Sequence, residues 1–147
     1  DAAKSAVVYT VRDTTFLRQG DIVERLPETE RAQFPAVELK ASRVYLPEGA
    51  PYPQTGGKNA PIILMGDSFT GVYESVDCKS AGVGSTIAAK TGIPVDVITS
   101  WGGGPLVRDR AVRARKNDFG AKRLVVYLMV ARDLYNYDQG WTPLKTE

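Results

Sequence analysis

At 147 residues, 43% hydrophobic and 24% charged, the chain is one domain's worth, long enough to bury a core and too apolar for disorder. Its net charge of +2 is too small to point to nucleic acid or a membrane surface. The absence of histidine and the single cysteine, Cys78, exclude an internal disulfide and a zinc site, leaving only an all-oxygen metal site open.

The chain opens on Asp1-Ala2-Ala3-Lys4, with neither Met nor an apolar leader, so it is expected to be a processed product or a piece of something longer. Val7-Val8-Tyr9 is a short β-prone piece. Asp21 to Leu26 can hold a turn or two of helix, closed by Pro27. Residues 27–60 carry five prolines and the pair Gly56-Gly57, and only Ser42 to Leu46 reads as a strand there. Residues 1–60 are therefore expected to be an irregular, Pro/Gly-rich segment that packs on the core and continues an upstream part.

Residues 61–147 read as the core itself. Ile62 to Met65 is a continuous apolar run, as in a strand buried on both faces of a parallel sheet. Ser80 to Thr91 reads as a helix, capped by Ser80 and stopped by Gly92. Pro94 to Ile98 is a second strand. Gly102-Gly103-Gly104 and Pro105 then lead into a basic helix to about Lys116. Its cations, Arg108, Arg110, Arg113, Arg115 and Lys116, read as a solvated face rather than a polyanion site. Leu124 to Val130 is a third, wholly apolar strand. The longest apolar run, Leu124 to Ala131, falls far short of the ~20 residues a membrane span needs. Alternating strands and helices predict an α/β fold of three layers around a mainly parallel sheet.

Ligands bind such sheets beyond the carboxyl ends of the strands. Three segments meet that edge: Gly66-Asp67-Ser68, Ser100 to Gly104, and Ala131-Arg132-Asp133. A serine in a sharp strand-to-helix turn presents its hydroxyl there, among backbone N–H groups. Glycines in the next loop let further donors approach, and each donor to an oxyanion is worth ~3 kcal/mol of barrier. The residues alone leave open whether Ser68 is a nucleophile or Asp67-Ser68 merely caps a turn.

The stretch "GDSFTGVYE" resembles the first block of the SGNH hydrolase superfamily, whose Gly-Asp-Ser serine is the nucleophile. The order of "GDIVERLP" (20–27), "ILMGDSFTGVY" (63–73), "SAGVGSTIAAKTGIPVDVI" (80–98), "GGGPLVR" (102–108) and "LVVYLMVARDLYNYDQGW" (124–141) resembles the alginate O-acetyltransferase family within it. That resemblance implies an SGNH/flavodoxin-like fold and an acetyl group carried on Ser68 to a polysaccharide hydroxyl. It implies an oxyanion hole from Ser68, Gly103 and Gly104, motif support from Gly66 and Asp67, and substrate contacts from Arg108, Tyr73 and Trp101. No cofactor is implied. The partners are a polysaccharide acceptor and an acetyl donor, a membrane acetyl-transfer protein being one option, in a bacterial periplasm or cell envelope.

The family's base is an Asp-x-His pair ahead of the serine, and this chain has no histidine. Asp13-Thr14-Thr15-Phe16 imitates that motif with Thr15 at the histidine, and a threonine hydroxyl cannot take the proton near neutral pH. "GDIVERLP" follows so soon after Asp13 that the base-bearing part is expected before Asp1, and a disabled enzyme is the other possibility. Lys58, Lys79 and Lys122 could serve a Ser-Lys arrangement, though no spacing singles one out. Asp133 could reach the site edge, but a lone carboxylate is a poor base for a hydroxyl.

Gly82-Val83-Gly84 begins like a dinucleotide-binding motif, but Ile87 stands where the third glycine belongs. Gly56 to Asn59 lacks the ends of a P-loop. The alternative to catalysis is an inactive SGNH-like carbohydrate-binding domain. In it Trp101, Tyr135, Tyr137 and Trp141 would stack on sugars, and Arg108 and Arg132 would hold a sugar carboxylate.

Overall fold

A computed structural model describes residues 7–53, 57–135 and 144. Its centre is a parallel sheet of β3 (Ile62–Gly66), β4 (Val95–Thr99) and β5 (Leu124–Tyr127), in the order β4-β3-β5. Ile62 lies opposite Val95 on one side and Leu124 on the other. The apolar run in β3 is continuous because its two faces feed separate cores. Ile62 and Leu64 pack with Val95, Val97 and Ala88 of α3 (Val83–Thr91), while Ile63 packs with Ile98 and with Val107 and Ala111 of α4 (Val107–Arg115). Gly92 ends α3 in the left-handed region at φ 68°, as its position predicts. A 3-10 turn, Gly104–Leu106, carries Pro105 into α4.

Two expectations about this sheet need correction. The third strand ends at Tyr127, and Leu124 and Val125 remain 52% and 57% exposed. Among the described residues β5 pairs only with β3, so its apolar run is an edge rather than a strand buried on both faces. Helix α3 starts at Val83, with Gly82 rather than Ser80 at the cap position. The Ser80 hydroxyl donates instead to the Tyr52 carbonyl at 2.7 Å.

The first 60 residues hold more order than their prolines suggest. β1 (Thr10–Arg18) and β2 (Val37–Tyr45) form an antiparallel ribbon, in register from Thr10 opposite Tyr45 to Arg18 opposite Val37. The short pieces expected at 7–9 and 42–46 miss most of it. Val11, Leu17 and Val37 all stay exposed, so no clean apolar alternation advertises a buried face. The expected helix over 21–26 is a single 3-10 turn, Val23–Arg25, and Pro27 precedes a one-turn α1 (Glu28–Arg31).

This ribbon is fastened to the sheet through the segment that follows it. The Val44 N–H donates to Ser80 O at 2.8 Å, and the Tyr52 N–H to Val44 O at 2.9 Å. The Tyr52 hydroxyl accepts from the Val95 N–H at 2.8 Å and donates to Val95 O at 3.2 Å, at the start of β4. Burial pushes its pKa up to about 12, against the opposing bond to Val95. Tyr52→Phe leaves both Val95 groups without that partner, and a urea midpoint should record a loss of ~1–3 kcal/mol. No helix among the described residues is long and apolar enough to cross a membrane.

Candidate active site

Ser68 is the first residue of α2 (Ser68–Gly71), immediately beyond the end of β3. Asp67 stands at the cap position, where its Oδ1 accepts from the Phe69 N–H at 3.0 Å, and it is 2% exposed. The glycine of Gly66-Asp67-Ser68 is set by packing: a Cβ there would lie 2.0 Å from the Thr70 hydroxyl oxygen. Side chains therefore leave the sheet abruptly, and the serine is the one motif residue left partly open to solvent. Among the described residues nothing hydrogen-bonds to its hydroxyl.

The two neighbouring strand ends close around this turn. The strand order reverses at β3, so Ser68 sits where doubly wound sheets form their binding crevice. From the β4 side, the Ser100 N–H donates to Gly66 O at 3.0 Å. From the β5 side, α5 (Ala131–Tyr135) brings Arg132 to 3.8 Å from the Asp67 Oδ2. Asp133, 7% exposed, accepts from the Gly104 N–H at 3.2 Å, and the Tyr127 hydroxyl donates to Gly104 O at 2.6 Å. Burial raises the Tyr127 pKa; the positive charge of Arg108 opposes this and Asp133 adds to it. Gly103 adopts φ 119°, open to glycine and strained for other residues. A Cβ on Gly104 would come within 2.2 Å of the Asp133 carboxylate.

The three expected edge segments thus meet, with Asp67, Ser68, Gly103, Gly104, Arg108 and Arg132 around them. Trp101 lies on the same loop, half exposed. Tyr73 lies elsewhere: its ring meets Phe16 of β1 edge-on at 6.2 Å, and it lines a groove of about 730 Å³ between the ribbon and α3. Asp13, Thr14 and Thr15 lie on β1, where the Asp13 carboxylate accepts from the Ser42 hydroxyl at 2.8 Å. Tyr137 and Trp141 fall outside the described residues.

Two of the candidate lysines, Lys122 and Lys58, are engaged by other partners. Lys122 donates to Gly57 O, Ala60 O and, at 2.7 Å, Asp96, which places it at the opposite end of the sheet, before β3 and β5 begin. Lys58 pairs with Asp118 at 3.5 Å. Asp96 is fully buried and also binds Arg115, so Arg115 leaves the solvated face expected of the basic helix, while Arg110, Arg113 and Lys116 stay exposed on it. Burial alone would raise the Asp96 pKa; hydrogen bonds from Arg115 and Lys122 outweigh it and hold the carboxyl below its ordinary value. Sequence reasoning passed over Asp96 because an acidic residue inside an apolar strand declares no partner. It also passed over Glu74, only 2% exposed.

An α/β domain with a parallel sheet and a serine turn at its switch point is the class that these features define. In line with that, the chain is similar in structure to the O-acetyltransferase domain of Pseudomonas putida AlgJ, with a TM-score of 0.59 and 16% sequence identity. The match covers 87% of this chain and 42% of that one, so the chain spans less than half the length of its structural neighbour. At that identity the likeness is one of fold. No family model and no curated protein matches the sequence.

Proposed function

We propose that this chain is the serine-bearing portion of a three-layer SGNH-type O-acetyltransferase or acetylesterase that acts on polysaccharide hydroxyls. The observation that supports it most is Ser68 at the switch point, at the head of α2, with the β4 and β5 loops joined beside it. The Ser68 oxygen attacks the acetyl carbonyl carbon as its proton passes to the base; the bond to the donor's leaving group then breaks, and that group takes the proton from the base. An acceptor hydroxyl, or water, attacks the acyl-enzyme as it gives its proton to the base, which passes it to the Ser68 oxygen when the acyl–serine bond breaks. The oxyanion draws on the N–H of Ser68, which has no carbonyl one turn earlier in its helix, and on Gly103. The Gly104 N–H is engaged by Asp133, so it contributes only if that contact opens.

With no histidine in the 147 residues, the base comes from outside them. The acceptor is a polysaccharide and the donor an activated acetyl group, in the periplasm or cell envelope. A second reading, an inactive carbohydrate-binding domain, draws support from Trp101, Tyr135 and Arg132, all exposed near the same edge.

A fluorophosphonate ester tests the catalytic reading, because it mimics the tetrahedral intermediate and stays on a reactive serine. In a protein that carries the base as well as these 147 residues, mass spectrometry should place one adduct on Ser68, and Ser68→Ala should remove it. No adduct, or an adduct that survives Ser68→Ala, overturns catalysis and favours the binding domain.

A further inference from the structure

Glu74 lies in the wide helical turn Val72–Val76 that continues α2, six residues beyond Ser68. Its side chain is buried, yet it has no part in the chemistry at the strand ends. Oε1 accepts from the Ser85 N–H at 2.8 Å, while Oε2 is buried with no hydrogen-bond partner among the described residues. A Cβ on Gly82 would fall 2.5 Å from the Glu74 Cγ, and one on Gly84 would fall 3.0 Å from Oε1 and 2.3 Å from a Val97 methyl. The Gly-Val-Gly that imitates a dinucleotide motif is therefore the cradle of the Glu74 side chain at the N-terminus of α3, where burial outweighs the bond from Ser85 and raises the carboxyl's pKa.

The ribbon also holds this segment. Arg18 pairs with Asp77 at 2.6 Å, Arg43 donates to Cys78 O at 2.5 Å and Lys79 O at 3.1 Å, and Phe16 packs on Tyr73. Lys79 and Ser80 are held at φ 58° and 54°, a conformation that consecutive non-glycine residues adopt only under constraint. A buried apolar side chain could fill the Glu74 site without desolvating a carboxylate. What the carboxylate adds is direction, because Oε1 ties the segment to a single main-chain N–H in the first turn of α3.

We propose that Glu74 is a positioning residue that pins the helical segment starting at Ser68 to the N-terminus of α3, and so fixes where the Ser68 hydroxyl stands. The pinning is a property of the fold; its catalytic consequence rests on the serine reading above.

Amide hydrogen exchange on the whole chain tests it, comparing wild type, Glu74→Ala and Glu74→Gln, with β3 and β4 as internal controls. Glu74→Ala should speed exchange over residues 68–76 and at Ser85 by about tenfold or more, while β3 and β4 change less than about twofold. Glu74→Gln keeps an acceptor oxygen and should stay within about threefold of wild type over 68–76. Unchanged protection of 68–76 in Glu74→Ala overturns the proposal. So does an equal rise in both variants, or a rise that includes β3 and β4, since each assigns Glu74 to general stability. Phosphonate trapping at Ser68, in a protein that also carries the base, adds the catalytic arm: slowed in Glu74→Ala, recovered in Glu74→Gln. If wild type is not trapped, the serine reading fails and hydrogen exchange still decides Glu74.

Discussion

Asp96→Ala should lower the unfolding free energy by about 3–5 kcal/mol, because it strands two inward-facing cations. Asp96 has no exposed surface, and the side chains of Arg115 and Lys122 are only 14% and 4% exposed. With the carboxylate gone, Lys122 keeps the Gly57 and Ala60 carbonyls, but both cations lose the Asp96 charge that faces them. Asp96→Ala combined with Lys122→Met should recover part of the loss, since only one stranded cation then remains. The sign of the pH dependence follows from a folded-state pKa held below the ordinary 3.8. Such a group stabilises fully above its unfolded pKa, and the contribution is lost as pH falls through the lowered folded value. Urea unfolding of wild type and Asp96→Ala should therefore differ most near pH 7, with the gap closing as pH falls below the ordinary 3.8 through the lowered folded value. A difference under about 1 kcal/mol at neutral pH would show that the three charges contribute nothing beyond an ordinary surface pair.

The parallel sheet was legible because its strands carry long apolar runs and its helices end at glycine and begin at proline. Ile62 to Met65, Gly92 and Pro105 each have one good structural home, and each takes it. The ribbon was not legible, because a two-stranded element exposed on most of its surface needs no period-2 pattern. Ser80 misleads for a related reason. Its hydroxyl suits a helix cap, but the chain uses it to bind Tyr52 O, a contact made across 28 residues of sequence. Glu74 and Asp96 mark the same limit from inside. A sequence shows a carboxylate but not the amides or cations that fold around it, and those partners come from segments 11 to 26 residues away. The Ser68 turn was easier to see, because strand, glycine, cap and serine are adjacent in the chain.

Ser68→Ala should cut hydrolysis of p-nitrophenyl acetate by about 10³-fold or more in a protein that carries the base as well as these 147 residues. The 147 residues alone should be slow, and scarcely slower after the same substitution. The local geometry explains the second expectation. Asp67 Oδ1 is engaged by the Phe69 N–H, Asp133 by the Gly104 N–H, and Lys122 lies at the far end of the sheet. None of them is placed to draw the proton from the serine hydroxyl, and an unassisted hydroxyl is a weak nucleophile near neutral pH. On the proposed reading, a longer protein that adds an Asp-x-His pair to these residues should turn over, with Ser68 essential to it. If the extended protein is as inert as the shorter one, or turns over equally well without the serine, acyl transfer at Ser68 is ruled out. The exposed aromatic and basic residues at the strand ends would then be read as a glycan-binding edge.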